Sequence, residues 1–297
     1  MSSYNQDKLT QDVVDAFART PDARLRVLMT SLVKHVHAFA REVDLTPEEW
    51  LAGLKFLTAT GHISTERRPE FILLSDTLGL SMMVVALAQA RASGTVQGAM
   101  AATEATVEGP FFWPGAPEMP LGADIAEGVP GEPTLYMGRV TDVDGKPLAG
   151  ALLDVWSGDG DGKYDVQLSS EPTMKARGRL RTDAEGRYWF WSIRPNYYPV
   201  PDDGPVGDML RATGRNINRP GHIHMMVSAE GHVPLTTHIF VAGSPFIDED
   251  VVFGKRDSLV VEFDKHPPGK AVDGREMKQP YHSASFDFRL APVPASN

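Results

Sequence analysis

The sequence Arg219-Pro220-Gly221-His222-Ile223-His224 opens an apolar run that continues to Val227. This run predicts a β-strand, and residues two apart in a strand lie on the same face of a sheet. The imidazoles of His222 and His224 therefore point towards the same place, which makes half of a site for a transition metal. The alternative is a pair of solvated histidines on an exposed strand. The other half of a metal site has to come from elsewhere in the chain.

The bulk composition excludes several classes of protein. The chain has 297 residues, of which 42% are hydrophobic and 23% charged, as expected for one large or two ordinary globular domains. It contains no cysteine, so only histidine, carboxylate or tyrosine could hold a metal. The net charge of −10 argues against nucleic acid or an anionic membrane as partner. The polar start of the chain has no signal-peptide core, which predicts a cytoplasmic protein.

The first hundred residues have the periodicity of α-helices. Thr20-Pro21 predicts the start of a helix, in which apolar residues from Leu25 to Val43 form one stripe. Thr46-Pro47-Glu48-Glu49 is a capping box that predicts a second helix, ended by Gly61. The apolar faces of these helices need a partner, and we expect a second copy of the chain to cover them in a homodimer.

A third helix is predicted to begin at Pro69 and to run to about Ala92. It contains the apolar run 78–87, which Ser75, Asp76 and Thr77 separate from the apolar residues before it. The run is too short to span a membrane, so we expect a buried or subunit-contact helix and no membrane insertion.

Composition changes near residue 105, where glycine and proline become frequent and short β-branched and aromatic runs begin. Seven runs predict strands, at residues 135–140, 151–156, 187–193, 222–227, 236–241, 258–263 and 286–290. Short strands with turn sequences between them are typical of an antiparallel sandwich or barrel. The sequence therefore predicts α+β in sequence order: a helical N-terminal dimerisation domain at 1–104, then an all-β sandwich catalytic domain at 105–297.

Two further segments offer tyrosines to the histidine pair. The loop Gly158-Asp159-Gly160-Asp161-Gly162-Lys163-Tyr164 lacks the distal glutamate of a calcium loop, and can instead present Tyr164 to a site. Prolines on both sides stiffen the segment that carries Tyr197 and Tyr198. The alternative for each tyrosine is packing. Two tyrosines with two histidines would give a set of hard oxygen and imidazole donors that suits ferric iron.

Several motifs together resemble the intradiol ring-cleaving dioxygenases. They are Gly109-Pro110-Phe111-Phe112, Gly162-Lys163-Tyr164-Asp165, Ile193-Arg194-Pro195 with Tyr198-Pro199, the histidine segment 219–224, and Leu235-Thr236-Thr237. The resemblance implies a β-sandwich enzyme with one Fe(III) per subunit, which uses O2 to cleave an aromatic diol or triol between adjacent hydroxyls. It also implies a homodimer through the N-terminal helices, with a phospholipid at the dimer interface.

Within this family, residues 70–76 and 198–207 are most similar to the branch that cleaves hydroxyquinol to maleylacetate. Catechol and chlorinated catechols are the alternative substrates. His238 stands where catechol-cleaving relatives usually have glutamine, and this departure agrees with the hydroxyquinol branch. Asp76 could bind the third hydroxyl of hydroxyquinol, or could be a structural helix residue.

The resemblance implies a role for individual residues. It assigns the metal ligands to Tyr164, Tyr198, His222 and His224, with Tyr198 preferred to Tyr197 because it is third after Pro195. It assigns catalysis to Tyr198 as a base, to Arg219 as the charge that stabilises the reacting substrate, and to His238. The substrate contacts that it implies are Leu73, Asp76, Val107, Gly109, Pro110, Phe111, Val200, Pro201 and Arg219.

Two other classes of protein compete with this interpretation. Gly138-Arg139-Val140 and Gly186-Arg187-Tyr188 also resemble transthyretin-like β-sandwich modules, which bind other molecules and need no pair of tyrosines beside two histidines. A cupin metal site would require a glutamate three or four residues after the second histidine. Here Glu230 follows His224 by six residues, and the helical region would be unexplained.

Overall fold

The structure, a computed structural model, describes residues 5–93, 101–168 and 173–293. It divides the chain into two compact units, Met1–His62 and Ile63–Asn297. This division lies before the change of composition near residue 105. The domain boundary at 104 and 105 therefore stays a prediction from composition.

The first unit is helical, with α1 (Gln6–Phe17), α2 (Ala23–Glu42) and α3 (Pro47–Ile63). The predicted capping box is confirmed: the Thr46 hydroxyl accepts the Glu49 N–H at 3.2 Å, and the Glu49 carboxylate accepts the Thr46 N–H at 2.9 Å. The predicted N-cap of α2 is wrong by two residues, because the Asp22 carboxylate accepts the Leu25 N–H at 2.6 Å.

Two other details of the first unit differ from the prediction. Helix α3 continues past Gly61 to Ile63, so Gly61 does not end it. Helix α1 was not predicted; the side chain of Asn5 caps it by accepting the N–H groups of Asp7 and Lys8. The first difference concerns a helix end, where one local hydrogen bond decides the boundary.

The apolar stripe of α2 is exposed. No residue of this helix is buried, and Leu32, Val36 and Phe39 are each more than half exposed. On α3, Trp50 and Leu54 are also exposed. A contiguous apolar face of this kind is typical of an interaction surface.

The second unit contains α4 (Glu70–Thr77), α5 (Leu80–Ser93), α6 (Asp165–Leu168), α7 (Pro205–Ala212) and a 3-10 turn (Asp257–Leu259). The single helix predicted from Pro69 to Ala92 is wrong, because α4 and α5 are separate. Gly79 has a φ of +74° between them, a left-handed conformation that ends a helix.

Among the described residues, no single helix is long and apolar enough to cross a membrane. The two helical segments Glu70–Thr77 and Leu80–Arg91 together have the length and apolar composition of a membrane-spanning helix, but they meet at an angle of 73°.

The second unit is otherwise built from strands. They are β1 (Pro133–Asp142), β2 (Leu152–Trp156), β3 (Arg177–Arg181), β4 (Arg187–Ile193), β5 (Tyr198–Pro199), β6 (Asn218–Arg219), β7 (His222–Ser228), β8 (Leu235–Val241), β9 (Val260–Val261), β10 (Asp264–His266), β11 (Gly269–Lys270), β12 (Glu276–Met277), β13 (Tyr281–Ser285) and β14 (Phe288–Leu290).

Two five-stranded sheets enclose the main hydrophobic core. One has the order β3-β2-β7-β8-β9; in the other, β10-β13-β1-β14 is joined by β4, which pairs with β1. Tyr136 and Phe190 from one sheet and Leu153, Ile223 and Met225 from the other are fully buried together. The predicted sandwich is confirmed. The sheets are mixed rather than antiparallel, because β1 pairs in parallel with β13 and β14, and β8 with β9.

Two strand predictions need correction, and two of the longer strands were missed. The run 258–263 forms the 3-10 turn and the two-residue β9, and the run 286–290 contributes only β14. Strand β3 was missed because three of its five residues are arginines, although Arg177 is 1% exposed. Strand β13 was also missed, since its small and polar residues are buried by pairing with β1 and β10.

Asp154 on β2 gives the fold a predicted dependence on pH. Burial raises the pKa of Asp154 to about 6, although the charges of Arg179 and Arg177 oppose the rise. Because this folded-state pKa lies above the ordinary value of 3.8, the folded protein loses stability as the pH rises from about 4 through about 6. We expect Asp154→Asn to raise the free energy of unfolding by about 1 kcal/mol above pH 7, after allowance for solvent screening.

Urea denaturation of the Asp154→Asn variant and the unchanged chain, at a series of pH values from 5 to 8, measures this difference. The gain should shrink steadily as the pH falls towards 5. A gain that is the same at both ends of the series would contradict the assignment.

Candidate metal centre

Four buried side chains from three segments meet in the second unit. Tyr164 follows the glycine-rich loop, Tyr198 begins β5, and His222 and His224 lie on β7; each is at most 4% exposed. The Tyr164 hydroxyl lies 2.9 Å from His224 Nε2, and the Nε2 atoms of the two histidines are 3.2 Å apart. The ring centroids of Tyr164 and Tyr198 are 5.4 Å apart. The structure thus brings together the four donors that the sequence had indicated.

The loop before Tyr164 is held by its own backbone contacts. The Asp159 carboxylate accepts the N–H groups of Asp161 and Lys163, both at 2.9 Å, so it stabilises the turn. Gly162 has a φ of +80°, and a β-carbon there would lie 2.7 Å from Cβ of Tyr198. Only glycine therefore allows the two tyrosine segments to approach this closely.

The structure distinguishes Tyr198 from its neighbour Tyr197. Tyr198 pairs with Arg219 across the short ladder of β5 and β6, and its ring is 5.5 Å from that of His222. Tyr197 is 39% exposed and packs against Phe246 on the other side of the segment. Alternation of side chains along an extended backbone therefore places Tyr198 inside and Tyr197 outside.

The ring nitrogens of the two β7 histidines have different partners. His222 Nδ1 donates to the Pro220 carbonyl at 2.7 Å, because a carbonyl can only accept. This leaves His222 Nε2 without a proton, and Arg219 Nη1 donates to it at 3.0 Å. His224 Nδ1 lies 2.8 Å from Nε2 of His238, and its own Nε2 faces Tyr164. Both Nε2 atoms are therefore turned towards the tyrosines.

His238 adds a third imidazole. The three histidines offer ring nitrogens within 4.8 Å of one another, so they could also hold a metal between themselves. His238 lies opposite His224 in the pairing of β7 with β8, and its Nδ1 is 2.7 Å from the Thr106 hydroxyl. The two nitrogens of an imidazole point in different directions. An ion bound to His224 Nε2 would therefore lie on the side of the tyrosines, away from His238.

Burial decides the protonation of these groups in the absence of a cation. It raises the pKa of Tyr164 well above its ordinary value, and the neighbouring Tyr198 adds to the effect. It also raises the pKa of Tyr198, although Arg219 opposes the rise. Burial, together with the charge of Arg219, lowers the pKa of His222 to about 3. Neutral imidazoles are ready ligands, and a multivalent cation would displace the tyrosine protons. The donor set therefore fits a metal ion.

Asp250, whose role was not predicted, holds Arg219 in place. Arg219 is 2% exposed, and its Nε and Nη2 atoms donate to the two carboxylate oxygens of Asp250 at 3.1 and 3.3 Å. Burial would lower the pKa of Arg219, but Asp250 and the two tyrosines outweigh burial and raise it. Nothing in the local sequence distinguishes Asp250 from Asp248 and Glu249, because its partner is 31 residues away.

A second buried ion pair that was not predicted, Arg177 with Asp165, lies next to Tyr164. The Arg177 Nε and Nη2 atoms donate to Asp165 at 2.9 and 2.7 Å, and Nη2 also donates to the Phe111 carbonyl at 2.8 Å. The Phe111 ring stacks on that of Tyr164 at 4.6 Å. Asp165 lies within one of the family motifs, which was the available signal; Arg177 had none.

Three of the predicted substrate contacts lie against the candidate ligands: Phe111 against Tyr164, Gly109 against His224, and Arg219 against His222. Leu73 on α4, Pro110, Phe111 and Pro201 line one cleft. Val107 and Val200 are each 5% exposed, and a β-carbon on Gly109 would lie 3.3 Å from His224 Cε1.

Asp76 on α4 is also part of these surroundings. It is 2% exposed and is close enough to Arg219 and Asp250 for their charges to act on its pKa. Burial raises the pKa of Asp76, while a hydrogen bond with Ser81 and the charge of Arg219 oppose the rise. Arg68 holds the N-terminal end of α4 to the loop after Tyr198, since it donates to Glu70 at 3.1 Å and to Asp203 at 2.7 Å.

Both the helical and the β part of the chain match known families. Residues 107–292 match the family model Dioxygenase, and residues 22–95 match Catechol dioxygenase N terminus. The chain is 46% identical to 6-chlorohydroxyquinol 1,2-dioxygenase of Cupriavidus pinatubonensis, over 99% of this chain and 100% of the relative. It is 48% identical to hydroxyquinol 1,2-dioxygenase of Nocardioides simplex, over 97% of this chain and 96% of the relative.

A solved structure of hydroxyquinol 1,2-dioxygenase from Pseudomonas putida DLL-E4 has the same fold, with a TM-score of 0.87 and 42% identity over 97% of this chain and 99% of that one. These matches extend over both the helical and the β part of the chain. A transthyretin-like binding module and a cupin are therefore excluded. The chain belongs to the intradiol ring-cleaving dioxygenase family.

Proposed function

We propose that this enzyme is a hydroxyquinol 1,2-dioxygenase, which uses non-haem Fe(III) and O2 to cleave 1,2,4-trihydroxybenzene between its adjacent hydroxyls. The product would be maleylacetate, after tautomerisation. The observation that carries this proposal is the buried cluster of two tyrosines and two histidines beside Arg219. The two relatives described above are named for hydroxyquinol or its 6-chloro derivative, and these names support the choice of substrate.

Tyr164, Tyr198, His222 and His224 would hold one ferric ion per subunit. The family is metal-dependent, and hard phenolate oxygens with imidazoles suit Fe(III) better than magnesium, calcium or zinc. The alternative three-histidine site would leave two buried tyrosine hydroxyls next to an ion that does not use them. When bound, the ion supplies Lewis acidity towards the two adjacent oxygens of the substrate.

The remaining steps fall to side chains of the chain. Tyr198 would take a substrate proton as general base, the role that the family resemblance implies; burial raises its pKa, although the charge of Arg219 opposes the rise. Arg219 would stabilise the negative charge that develops on the ring, and Asp250 keeps it in place. The cleft lined by Leu73, Pro110 and Phe111 would exclude water and orient the ring.

We assign Asp76 to the third hydroxyl of the substrate. It is a buried carboxylate in the α4 segment that carries Leu73, and catechol has no group for it to bind. We expect Asp76→Ala to lower kcat/KM for hydroxyquinol about 10- to 100-fold, since an unmade buried hydrogen bond costs roughly 1.5–3 kcal/mol. The value for catechol should change less than about threefold.

Steady-state kinetics of Asp76→Ala and Asp76→Asn with both diols test this assignment. The asparagine variant keeps a hydrogen-bonding group, so it should retain more of the preference for hydroxyquinol than the alanine variant. Equal losses on both substrates would mean that Asp76 is a structural residue of α4.

A second candidate substrate is 6-chlorohydroxyquinol, because a relative named for it is 46% identical over 99% of this chain. It keeps all three hydroxyls, so it would use the same contacts. Catechol and chlorocatechols are further alternatives, but they lack the third hydroxyl that Asp76 would bind.

We also propose that the enzyme is a cytoplasmic homodimer that associates through its N-terminal helices, with a phospholipid at the interface. The exposed apolar face of α2 and α3 supports this proposal. Analytical ultracentrifugation should give a dimer, and Phe39→Glu on that face should give a monomer. Extraction of the purified protein with organic solvent, followed by mass spectrometry, would detect the lipid.

Visible absorption spectroscopy tests the proposed metal and substrate together. The iron-loaded protein should be wine-red, from charge transfer between tyrosinate and Fe(III). Anaerobic addition of hydroxyquinol should shift this band at a lower concentration than catechol does. A protein that stays colourless after reconstitution with ferric iron would contradict the tyrosine ligands.

A further inference from the structure

The two histidines of β7 differ in the hydrogen-bond partner of their Nδ1 atoms. His222 Nδ1 donates to a backbone carbonyl, that of Pro220, at 2.7 Å. His224 Nδ1 instead faces a side chain, Nε2 of His238, at 2.8 Å. His238 Nδ1 in turn lies 2.7 Å from the Thr106 hydroxyl. His224, His238 and Thr106 are at most 2% exposed, so no bulk water competes for these contacts.

The positions of the protons along this chain follow from the donor and acceptor capacity of each group. When His224 Nε2 binds an ion, the one proton of the neutral ring must be on Nδ1. That N–H donates to His238 Nε2, which must therefore have no proton. The proton of His238 is then on Nδ1 and donates to the Thr106 hydroxyl. Each contact in the chain is satisfied by only one arrangement of protons.

We propose that His238 and Thr106 are positioning residues that fix His224 in its Nδ1–H tautomer and make it the stronger electron donor of the two histidine ligands. The inference rests on the proposed function, since it requires an ion at His224 Nε2. It gives His238 a different role from the catalytic one that the family resemblance had indicated, because His238 acts through His224 and has no direct part in the reaction.

The acceptor is what makes the two ligands unequal. An imidazole nitrogen is a far stronger base than a backbone carbonyl, so it draws the shared proton further from its donor. His224 thereby gains negative character, and such partners raise the basicity of a metal-bound histidine. The higher charge of Fe(III) benefits more from this than Fe(II) does. His238 would therefore favour the oxidised ion, which is the state that the proposed reaction needs.

The surroundings keep the chain of hydrogen bonds in one geometry. Trp156 stacks on the His224 ring, with the centroids 4.6 Å apart and the planes at 15°. His224 and His238 are directly paired between β7 and β8. The Thr106 N–H donates to the Thr236 carbonyl at 2.9 Å, which fixes the residue at the end of the chain. Neither ring can turn away without loss of packing or of a buried hydrogen bond.

Four variants separate this role from a general effect on the fold. His238→Leu removes the acceptor, whereas His238→Gln keeps an acceptor for His224 and a donor for Thr106. Thr106→Val removes the end of the chain. Thr237→Val is the matched control, because Thr237 is equally buried and adjacent to His238 but donates to the Glu104 carbonyl.

The first readout is the retention of Fe(III) against a competing chelator. We expect His238→Leu to lose iron about 10- to 100-fold more readily than the unchanged enzyme, as for other partners of metal-bound histidines. Thr106→Val should show a smaller loss, and His238→Gln should recover most of the affinity. Thr237→Val should behave as the unchanged enzyme. Equal retention by His238→Leu, or an equal loss in Thr237→Val, would overturn the inference.

The second readout is the preference for Fe(III) over Fe(II), from a spectroscopic redox titration. This preference should fall about tenfold in His238→Leu, because leucine offers no acceptor to the N–H at His224 Nδ1 and His224 then donates less electron density to the ion. It should recover in His238→Gln, because glutamine restores an acceptor. A role confined to packing would leave the preference unchanged in His238→Leu, which would overturn the inference.

A third readout reports the tautomer directly. In enzyme loaded with diamagnetic Ga(III) and labelled with ¹⁵N-histidine, nuclear magnetic resonance should place the proton of His238 on Nδ1. A proton on His238 Nε2 would overturn the inference. Failure of the proposed function is distinct: the unchanged enzyme would then lack the tyrosinate-to-iron band, whatever the His238 variants do.

Discussion

Replacing Tyr164 with phenylalanine is expected to abolish most of the activity and to remove or greatly weaken iron binding. The Tyr164 side chain is fully buried, and its hydroxyl lies 2.9 Å from His224 Nε2, where it would be a ligand of the ion. Loss of a direct ligand should exceed the 10- to 100-fold cost of losing an outer partner. We therefore expect kcat/KM to fall at least about 100-fold. Iron content and the visible band, measured on the same samples, should decrease together.

The matched control for this variant is Tyr197→Phe. It removes the same hydroxyl from a tyrosine next to Tyr198, but that side chain is 39% exposed and packs against Phe246. It should leave iron content, colour and kcat/KM within about twofold of the unchanged enzyme. A Tyr164→Phe enzyme with full iron and full activity would remove Tyr164 from the ligand set and would favour the three-histidine site.

Asp250→Ala should strongly destabilise the protein. It leaves the Arg219 guanidinium, which is 2% exposed, without its ion-pair partner. Breaking a buried ion pair from one side costs roughly 3–5 kcal/mol, because the remaining charge stays buried and unpaired. Urea denaturation of the metal-free protein measures this loss without the contribution of metal binding to stability.

Two further variants sharpen the result. Asp248→Ala removes an acidic residue from the same loop, but its side chain is 83% exposed and its contact with Lys255 is 3.3 Å long, so it should cost less than about 0.5 kcal/mol. The double variant Asp250→Ala with Arg219→Met removes both charges and should be more stable than Asp250→Ala alone. Equal destabilisation by Asp248→Ala and Asp250→Ala would contradict the role of the buried pair.

Asp250 also makes it possible for the enzyme to bury the positive charge of Arg219 at the site. The arginine alone would be costly to bury, and the carboxylate alone would be equally costly. The ion pair allows the positive guanidinium of Arg219 to stay buried and fixed beside His222, which it contacts at 3.0 Å. An enzyme that stabilises developing negative charge needs such a fixed charge in place before the reaction begins.

Several features of the fold followed from local patterns. The capping box at Thr46 and Glu49 is confirmed because both of its hydrogen bonds join residues three apart. The strand that carries His222 and His224 begins where its apolar run begins. The helix expected from Pro69 to Ala92 was wrong because the periodicity of apolar residues does not reveal a break at a single glycine. Gly79, with a φ of +74°, separates α4 from α5.

The sequence by itself determined which residues share a face. Side chains two apart on a strand point the same way, so the convergence of His222 and His224 needs no tertiary information. The choice of Tyr198 over Tyr197 came instead from the family pattern, in which the ligand is third after Pro195. The family motifs then indicated that the tyrosine and histidine segments belong to one site, because these segments occur together in the enzymes of this family.

Only the tertiary structure decided which groups support those ligands. Asp250 reaches Arg219 across 31 residues, His238 reaches His224 through the register of two strands, and Arg177 lies on a strand that its own composition does not indicate. Each is an ordinary polar residue in its local sequence. Its contact with the ligand or with the supporting residue is strong because both groups are buried and paired. Burial and pairing of residues distant in the chain arise only when the two sheets pack together.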